Sequence, residues 1–320
     1  MKRDLGIDIM KFLAVLLITN SHMDIFYPPS LSILGTGGSI GDAFFFFCSG
    51  FTLFLKPVGR FDTFYKKRIN RIYPSIFAIS AIRSLFMGVK VRVKELFFNT
   101  AGGWFLDCIM IYYIVLWLIA KTMIKKLSLA FILTSIIIVV SYILWNKPDD
   151  FRIYGDNYFK WIAFFIVMLS GAIAGKSQHK ECSAVKSGVI LITSTIAFYA
   201  ILMFTTRIPA IFNLQILSII PLILITYYTY RLCNSSFAIK FLNSKVLNWI
   251  VMFVGGLCLE VLITQGILIR LNIGLKFPLN YIATFLLIII FAYITRCVSR
   301  LFVQTFREKE YNWKEIFKAV

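Results

Sequence analysis

The sequence predicts an all-α membrane protein of about ten transmembrane helices with both termini cytoplasmic. The first observation is composition: 59% of the 320 residues are apolar, 32 are Phe, and the mean hydropathy is +0.80. A soluble domain has no use for so much apolar surface, whereas a chain dissolved in lipid requires it. The second is the recurrence of apolar runs of spanning length, near 9–23, 40–56, 72–89, 104–122, 127–146, 158–175, 187–206, 213–230, 246–270 and 278–300. The third is charge placement. With the N-terminus cytoplasmic, the alternating cytoplasmic segments carry 23 Lys and Arg against nine on the opposite side, the asymmetry that fixes topology in membrane proteins.

The first run carries Asp8, Lys11 and His22 and has no small-residue cleavage site, so it reads as a retained helix and not as a removed signal peptide. One membrane domain, 1–303, accounts for nearly the whole length and leaves no room for a soluble catalytic module. A basic cytoplasmic tail, 304–320, follows it. The net charge of +19 does not point to nucleic acid, because its distribution follows the loops. A basic cytoplasmic face suits anionic lipid heads and phosphate-bearing ligands, although fixing topology explains most of these charges. The six cysteines are scattered singly, and the two histidines lie 157 positions apart, so neither a disulfide framework nor a metal centre is expected. There is no Gly-rich phosphate loop and no internal repeat.

His22 closes the first apolar run, Ile9–Ser21. Lys11 precedes it by eleven positions, almost three helical turns, which places both on one face about 16 Å apart. Asp8 joins that face one turn earlier. Ionisable groups aligned along a membrane helix are costly and usually serve a pathway or a reaction. A neutral imidazole can accept a proton near neutral pH, so His22 is a candidate general base. It could equally be an interfacial histidine where the helix meets water, and Asp8 and Lys11 could simply pair.

Farther on, Gly41–Phe51 combines four consecutive phenylalanines with Ser49-Gly50, a small pair that lets a helix or a ligand approach the backbone. Asp42, at the outer end of that span, is a candidate to orient His22 or shift its pKa. The stretch Phe61–Pro74 holds Arg68 and Arg71, three apart and aimed the same way by a helical turn. Guanidinium forks match phosphate oxygens, but the same residues could be a stop-transfer cluster. Trp104 opens the fourth span after Gly102-Gly103, where an interfacial aromatic anchor is the plainer reading. Glu260 and Gln265 interrupt the ninth span, and an ionisable residue there is a functional candidate by default, unless it pairs with a neighbouring helix.

Taken in order, Asp8-Ile9-Met10-Lys11 with His22, Phe45–Phe51, Arg68–Pro74, Trp104–Leu106 and the Glu260 region resemble the acyltransferase 3 family of membrane acyltransferases. The resemblance runs from about residue 3 to 270. The family's Arg-x-x-Arg pair falls on Arg68 and Arg71, and its Phe-Phe-x-x-Ser-Gly-Phe element on Phe45, Phe46, Ser49, Gly50 and Phe51. Lys11 stands where the family typically has Arg, keeping the charge but not the fork. Gln265 stands where many members have His, which leaves His22 to act without a second histidine.

The resemblance implies transfer of an acyl group, with acetyl expected, from cytoplasmic acyl-CoA to a hydroxyl of a cell-surface polysaccharide or lipid-linked sugar. It implies His22, Asp42 and Glu260 as catalytic residues, and Lys11, Arg68, Arg71 and Trp104 as residues holding the donor. Acyl-CoA, the glycan acceptor and membrane lipids are the expected partners; no permanently bound cofactor, metal or nucleic acid is expected. The implied setting is a cell inner (plasma) membrane. A transporter or flippase for a glycan or lipid intermediate is the rival reading, since it also accommodates many spans with intramembrane charges, and a non-catalytic membrane scaffold is a third.

Overall fold

A computed structural model of the chain describes residues 4–88, 90, 103–148, 150–177, 183–271, 273–307 and 310–319. Among these there are helices and connecting turns and no strand. Helices alone keep every backbone polar group satisfied within one segment, which lipid demands. In chain order they are α1 (Leu5–His22), α2 (Gly38–Leu53), α3 (Phe61–Met87), α4 (Trp104–Thr122), α5 (Leu127–Leu144), α6 (Phe159–Lys176), α7 (Ala184–Arg207), α8 (Ile219–Cys233), α9 (Ser236–Phe241), α10 (Lys245–Gly256), α11 (Cys258–Leu268), α12 (Leu279–Thr305) and α13 (Trp313–Ile316).

Eight helical segments among the described residues are long and apolar enough to cross a membrane, or nine if α10 and α11 together form one span. Two expected spans account for the difference. The run at 72–89 is the second half of α3, whose first turns carry Lys66, Lys67, Arg68 and Arg71. Charge and apolar run are thus one continuous 27-residue helix. The run at 246–270 is not straight: α10 and α11 meet at a 71° bend. Gly255-Gly256 ends α10, and paired glycines are where a helix bends most cheaply.

The chain divides into two compact units. The first comprises 1–10, 42–58 and 114–244, and the second 11–41, 59–113 and 245–320. In the first unit α7 packs on α8, and α6 packs on α5 and α8. The lipid-facing logic is plain on α5. Leu127, Ala130, Thr134, Ile138 and Tyr142 form a buried stripe at helical spacing, while Ile132, Ile136, Ile137, Val140 and Ile143 are exposed. Apolar side chains turned outward all around a buried stripe belong in hydrocarbon.

The Ser49-Gly50 pair proves to receive a helix. A Cβ on Gly50 would run into the Met168 carbonyl, and Cβ atoms on Gly171 and Gly175 would run into the backbone at Phe47 and Phe51. α2 and α6 therefore touch main chain to main chain through small residues on both sides. Phe46 and Phe47 are fully buried beside this crossing. Phe46 packs on Phe164 at 5.4 Å between ring centroids, and Phe51 on Tyr230 at 4.9 Å. Tyr230 in turn donates to Asp4 Oδ2 at 2.9 Å.

In the second unit α12 packs on α3 and α11, and α11 also packs on α3. Of the segment expected as a basic tail from 304, residues 310–319 pack against α12, which itself runs to Thr305. Asn312 caps α13 by accepting from the Glu315 N–H. The Arg300 guanidinium collects the carbonyls of Glu315, Ile316 and Lys318. Tyr293 donates to the Phe317 carbonyl at 2.7 Å, and Ile316 is buried.

The α2–α6 contact makes Gly171→Leu the most damaging conservative-looking change in the first unit. It is expected to cost about 1–3 kcal/mol or more by forced separation of the helices, read as a lower thermal midpoint in detergent. Gly188→Leu is the control, because a Cβ there meets open space. Equal midpoints for the two variants would refute the contact.

Candidate active site

α1 is unbroken from Leu5 to His22, so the spacing read from sequence survives: Lys11 and His22 share a face, separated by about 16 Å of helix. Lys11 is half-buried and His22 ends the helix exposed. Asp24, in the turn that follows, is the charge acting on His22. The end of α1 is clasped through Asn20. Its amide nitrogen donates to the carbonyls of Leu34 at 2.7 Å and Thr36 at 2.9 Å. Its Oδ1 accepts from the hydroxyls of Tyr27 at 2.8 Å and Tyr281 at 2.9 Å. One side chain thereby fixes the loop after His22 and the start of α12 to the helix that carries the histidine. All these residues belong to the second unit.

Arg68 and Arg71 lie on α3, close enough to act on one another electrostatically. The Arg68 guanidinium sits 5.0 Å from the Phe64 ring centroid and 5.2 Å from that of Tyr113 on α4. Aromatic faces on both sides hold it without neutralising it. Its buried Nε has no hydrogen-bond partner. Arg71 is exposed. Neither Lys11 nor Arg71 forms an ion pair or a side-chain hydrogen bond among the described residues, so Lys11 is not spent on Asp8. Both lie within electrostatic reach of Cys258, the first residue of α11. Two unneutralised cations from different helices thus converge on the bend between α10 and α11. An anion is the ligand such an arrangement suits.

Glu260, one turn into α11, is buried and engaged. Arg296 of α12 lies 3.3 Å from its Oε2, and the Ser75 hydroxyl donates to its Oε1 at 3.0 Å. Ser75 also lies 3.3 Å from the Ser299 hydroxyl. The same Arg296 guanidinium donates to the Gly256 carbonyl, which the bend has taken out of the helical ladder. Ser75 follows Arg71 by one turn on α3, so the network ties the arginine-bearing helix to the bend. Sequence reasoning missed Arg296, Ser75 and Ser299 because each is an unremarkable residue until three helices meet. The alternative reading of Glu260, a pair with a neighbouring helix, has its cation in Arg296.

Gln265, two turns beyond Cys258 on α11, accepts from the Thr19 hydroxyl at 3.1 Å. α1 and α11 therefore face one another from Lys11 and Cys258 to Thr19 and Gln265. Trp104 opens α4 half-buried, its ring edge-on to Phe105 at 6.0 Å. Gly102 lies outside the described residues. Asp42 belongs to the first unit, where Lys160 is the cation acting on it, and Lys160 lies 3.5 Å from Asp156.

Removing Arg296 strands a buried carboxylate and a carbonyl together. Arg296→Ala is expected to cost about 3–5 kcal/mol, the usual penalty for breaking a buried pair, read as a lower thermal midpoint. The double change Arg296→Met with Glu260→Leu should recover only part of it, because the Gly256 carbonyl stays unserved. A loss no larger than that of Arg60→Ala, whose side chain is 85% exposed, would remove the network from the account of stability.

The acyltransferase 3 family model, described as an acyltransferase domain, matches residues 4–298. No curated protein matches the chain, and no solved structure does. The matched region takes in α1 with Lys11 and His22, the arginine-bearing α3, and the bent pair α10–α11 with Glu260. The chain belongs to the acyltransferase 3 family and is a membrane acyltransferase.

Proposed function

We propose that the protein moves an acetyl group from cytoplasmic acetyl-CoA to a hydroxyl of a cell-surface polysaccharide or lipid-linked sugar, in a cell inner membrane with both termini cytoplasmic. The observation that carries the donor assignment is the pair of unneutralised cations at the α10–α11 bend, Lys11 and Arg71. Donor phosphates are polyanions and would be held there, with Arg68 adding charge from its aromatic slot. The thioester lies at the end of a long flexible arm. A run of α1 about 16 Å long separates Lys11 from His22, so phosphates at one end and reacting carbonyl at the other fit the two ends of this face.

In the transfer, the acceptor hydroxyl oxygen attacks the thioester carbonyl carbon while a His22 ring nitrogen takes its proton. The carbon–sulfur bond then breaks, the sulfur leaves with the electron pair, and the proton on His22 passes to it. The products are an ester and free coenzyme A. Asp24 offers the imidazolium a nearby counter-charge while the proton is held. The tyrosine clasp on Asn20 fixes the end of α1, and general-base catalysis needs such fixed geometry.

The transporter reading draws on the same bend, since broken helices build substrate sites in transporters. Purified protein in nanodiscs with radiolabelled acetyl-CoA separates the two. His22→Ala is expected to lower turnover about 10²–10⁴-fold while leaving donor binding in place. Arg71→Ala should raise the donor KM by about tenfold or more, for one lost charge-assisted contact of about 1.5–3 kcal/mol. Folded protein that neither binds nor hydrolyses acetyl-CoA would overturn the donor assignment.

A further inference from the structure

Gln265 is 3% exposed, yet only half of its amide is used. Its Oε1 accepts from the Thr19 hydroxyl, and Thr19 itself is fully buried. That bond sets the orientation of the amide and leaves Nε2, with two N–H donors, facing away from Thr19. Among the described residues Nε2 meets no acceptor. Nε2 is not among the enclosed side-chain atoms that lack a partner, so it keeps accessible surface that a ligand can reach. The position of this donor is specific: Thr19, whose hydroxyl holds the amide, precedes His22 by three residues, one turn on the same helix face.

Resting on the acyl-transfer reading above, we infer that Gln265 is a catalytic residue whose Nε2 donates to the thioester carbonyl oxygen. As the acceptor oxygen bonds to the carbonyl carbon, the carbonyl electron pair moves onto oxygen, and Gln265 stabilises the charge that forms. When the carbon–sulfur bond breaks, that pair returns to restore the carbonyl and the hydrogen bond weakens. No proton leaves Gln265 at any point, so the residue complements the His22 base without duplicating it. An amide suits this task because it donates at every pH and cannot itself become the base. Thr19 is the positioning residue, since losing its hydroxyl frees the amide to rotate.

The test uses full-length protein in nanodiscs with acetyl-CoA, measuring kcat and donor KM for wild type, Gln265→Glu, Gln265→Leu and Thr19→Val. Gln265→Glu keeps the shape and the acceptor for Thr19 but loses the donors. It and Gln265→Leu are expected to lose about 10²–10³-fold in kcat, with donor KM within about threefold because the interaction belongs to the transition state. Thr19→Val should lose about tenfold in kcat with the same unchanged KM, since only positioning is removed. Thermal midpoints accompany each variant. Should both Gln265 variants fail to fold, Thr19→Val decides: wild-type kcat in that folded variant overturns the proposal. Folded Gln265→Glu with wild-type kcat overturns it as well, while leaving the donor reading and His22 intact. A folded wild type with no acyl-CoA turnover removes the acyl-transfer reading, and this inference falls with it.

Discussion

The Gly256 carbonyl is the group on which the rest of the second unit depends. A 71° bend follows it, and its oxygen takes the Arg296 guanidinium as partner in place of a backbone N–H of α11. A backbone oxygen left without a partner in a membrane-spanning segment is costly. Arg296 resolves the deficit by donating to it, but a guanidinium brings its own charge into the interior. Glu260 balances that charge, and Ser75 satisfies the remaining carboxylate oxygen. Each residue is there because the previous one created a requirement. The sequence of requirements ends on α3, one turn from Arg71.

That chain of requirements gives the bend a use. A straight α10–α11 helix would carry its polar residues past α1 without stopping. Bent and pinned, it starts α11 at Cys258, within reach of Lys11 and Arg71, and brings Gln265 to Thr19 two turns later. Glu260 sits between these points with both carboxylate oxygens occupied. An occupied carboxylate is poorly suited to exchanging protons, and well suited to holding a backbone break in shape.

The first unit is organised by a different constraint, contact between backbones. Gly50, Gly171 and Gly175 let α2 and α6 meet without side chains between them. In lipid, burial of apolar surface gives no net drive for helices to associate, so close main-chain packing and dispersion must supply it. Phenylalanines from the same stretch fill the space beside the crossing. Of the two partners the small pair could admit by sequence, a helix or a ligand, the structure shows a helix.

Composition and spacing by themselves determined the membrane class, the helical secondary structure and the shared face of Lys11 and His22. These follow from local rules: lipid excludes open backbone, and 3.6 residues per turn sets which side chains align. They also marked Arg68 and Arg71, which one helical turn suffices to pair. Tertiary structure decided what sequence spacing could not reach. It split the ninth apolar run, because whether paired glycines bend depends on a partner for the freed carbonyl, and that partner is Arg296, forty residues away. It assigned Glu260 a cation, gave Gln265 a hydroxyl from a residue 246 positions distant, and placed Asp42 beside Lys160. Hydrogen bonds and ion pairs reach only a few ångströms, so their partners are fixed by how helices pack and not by where residues stand along the chain.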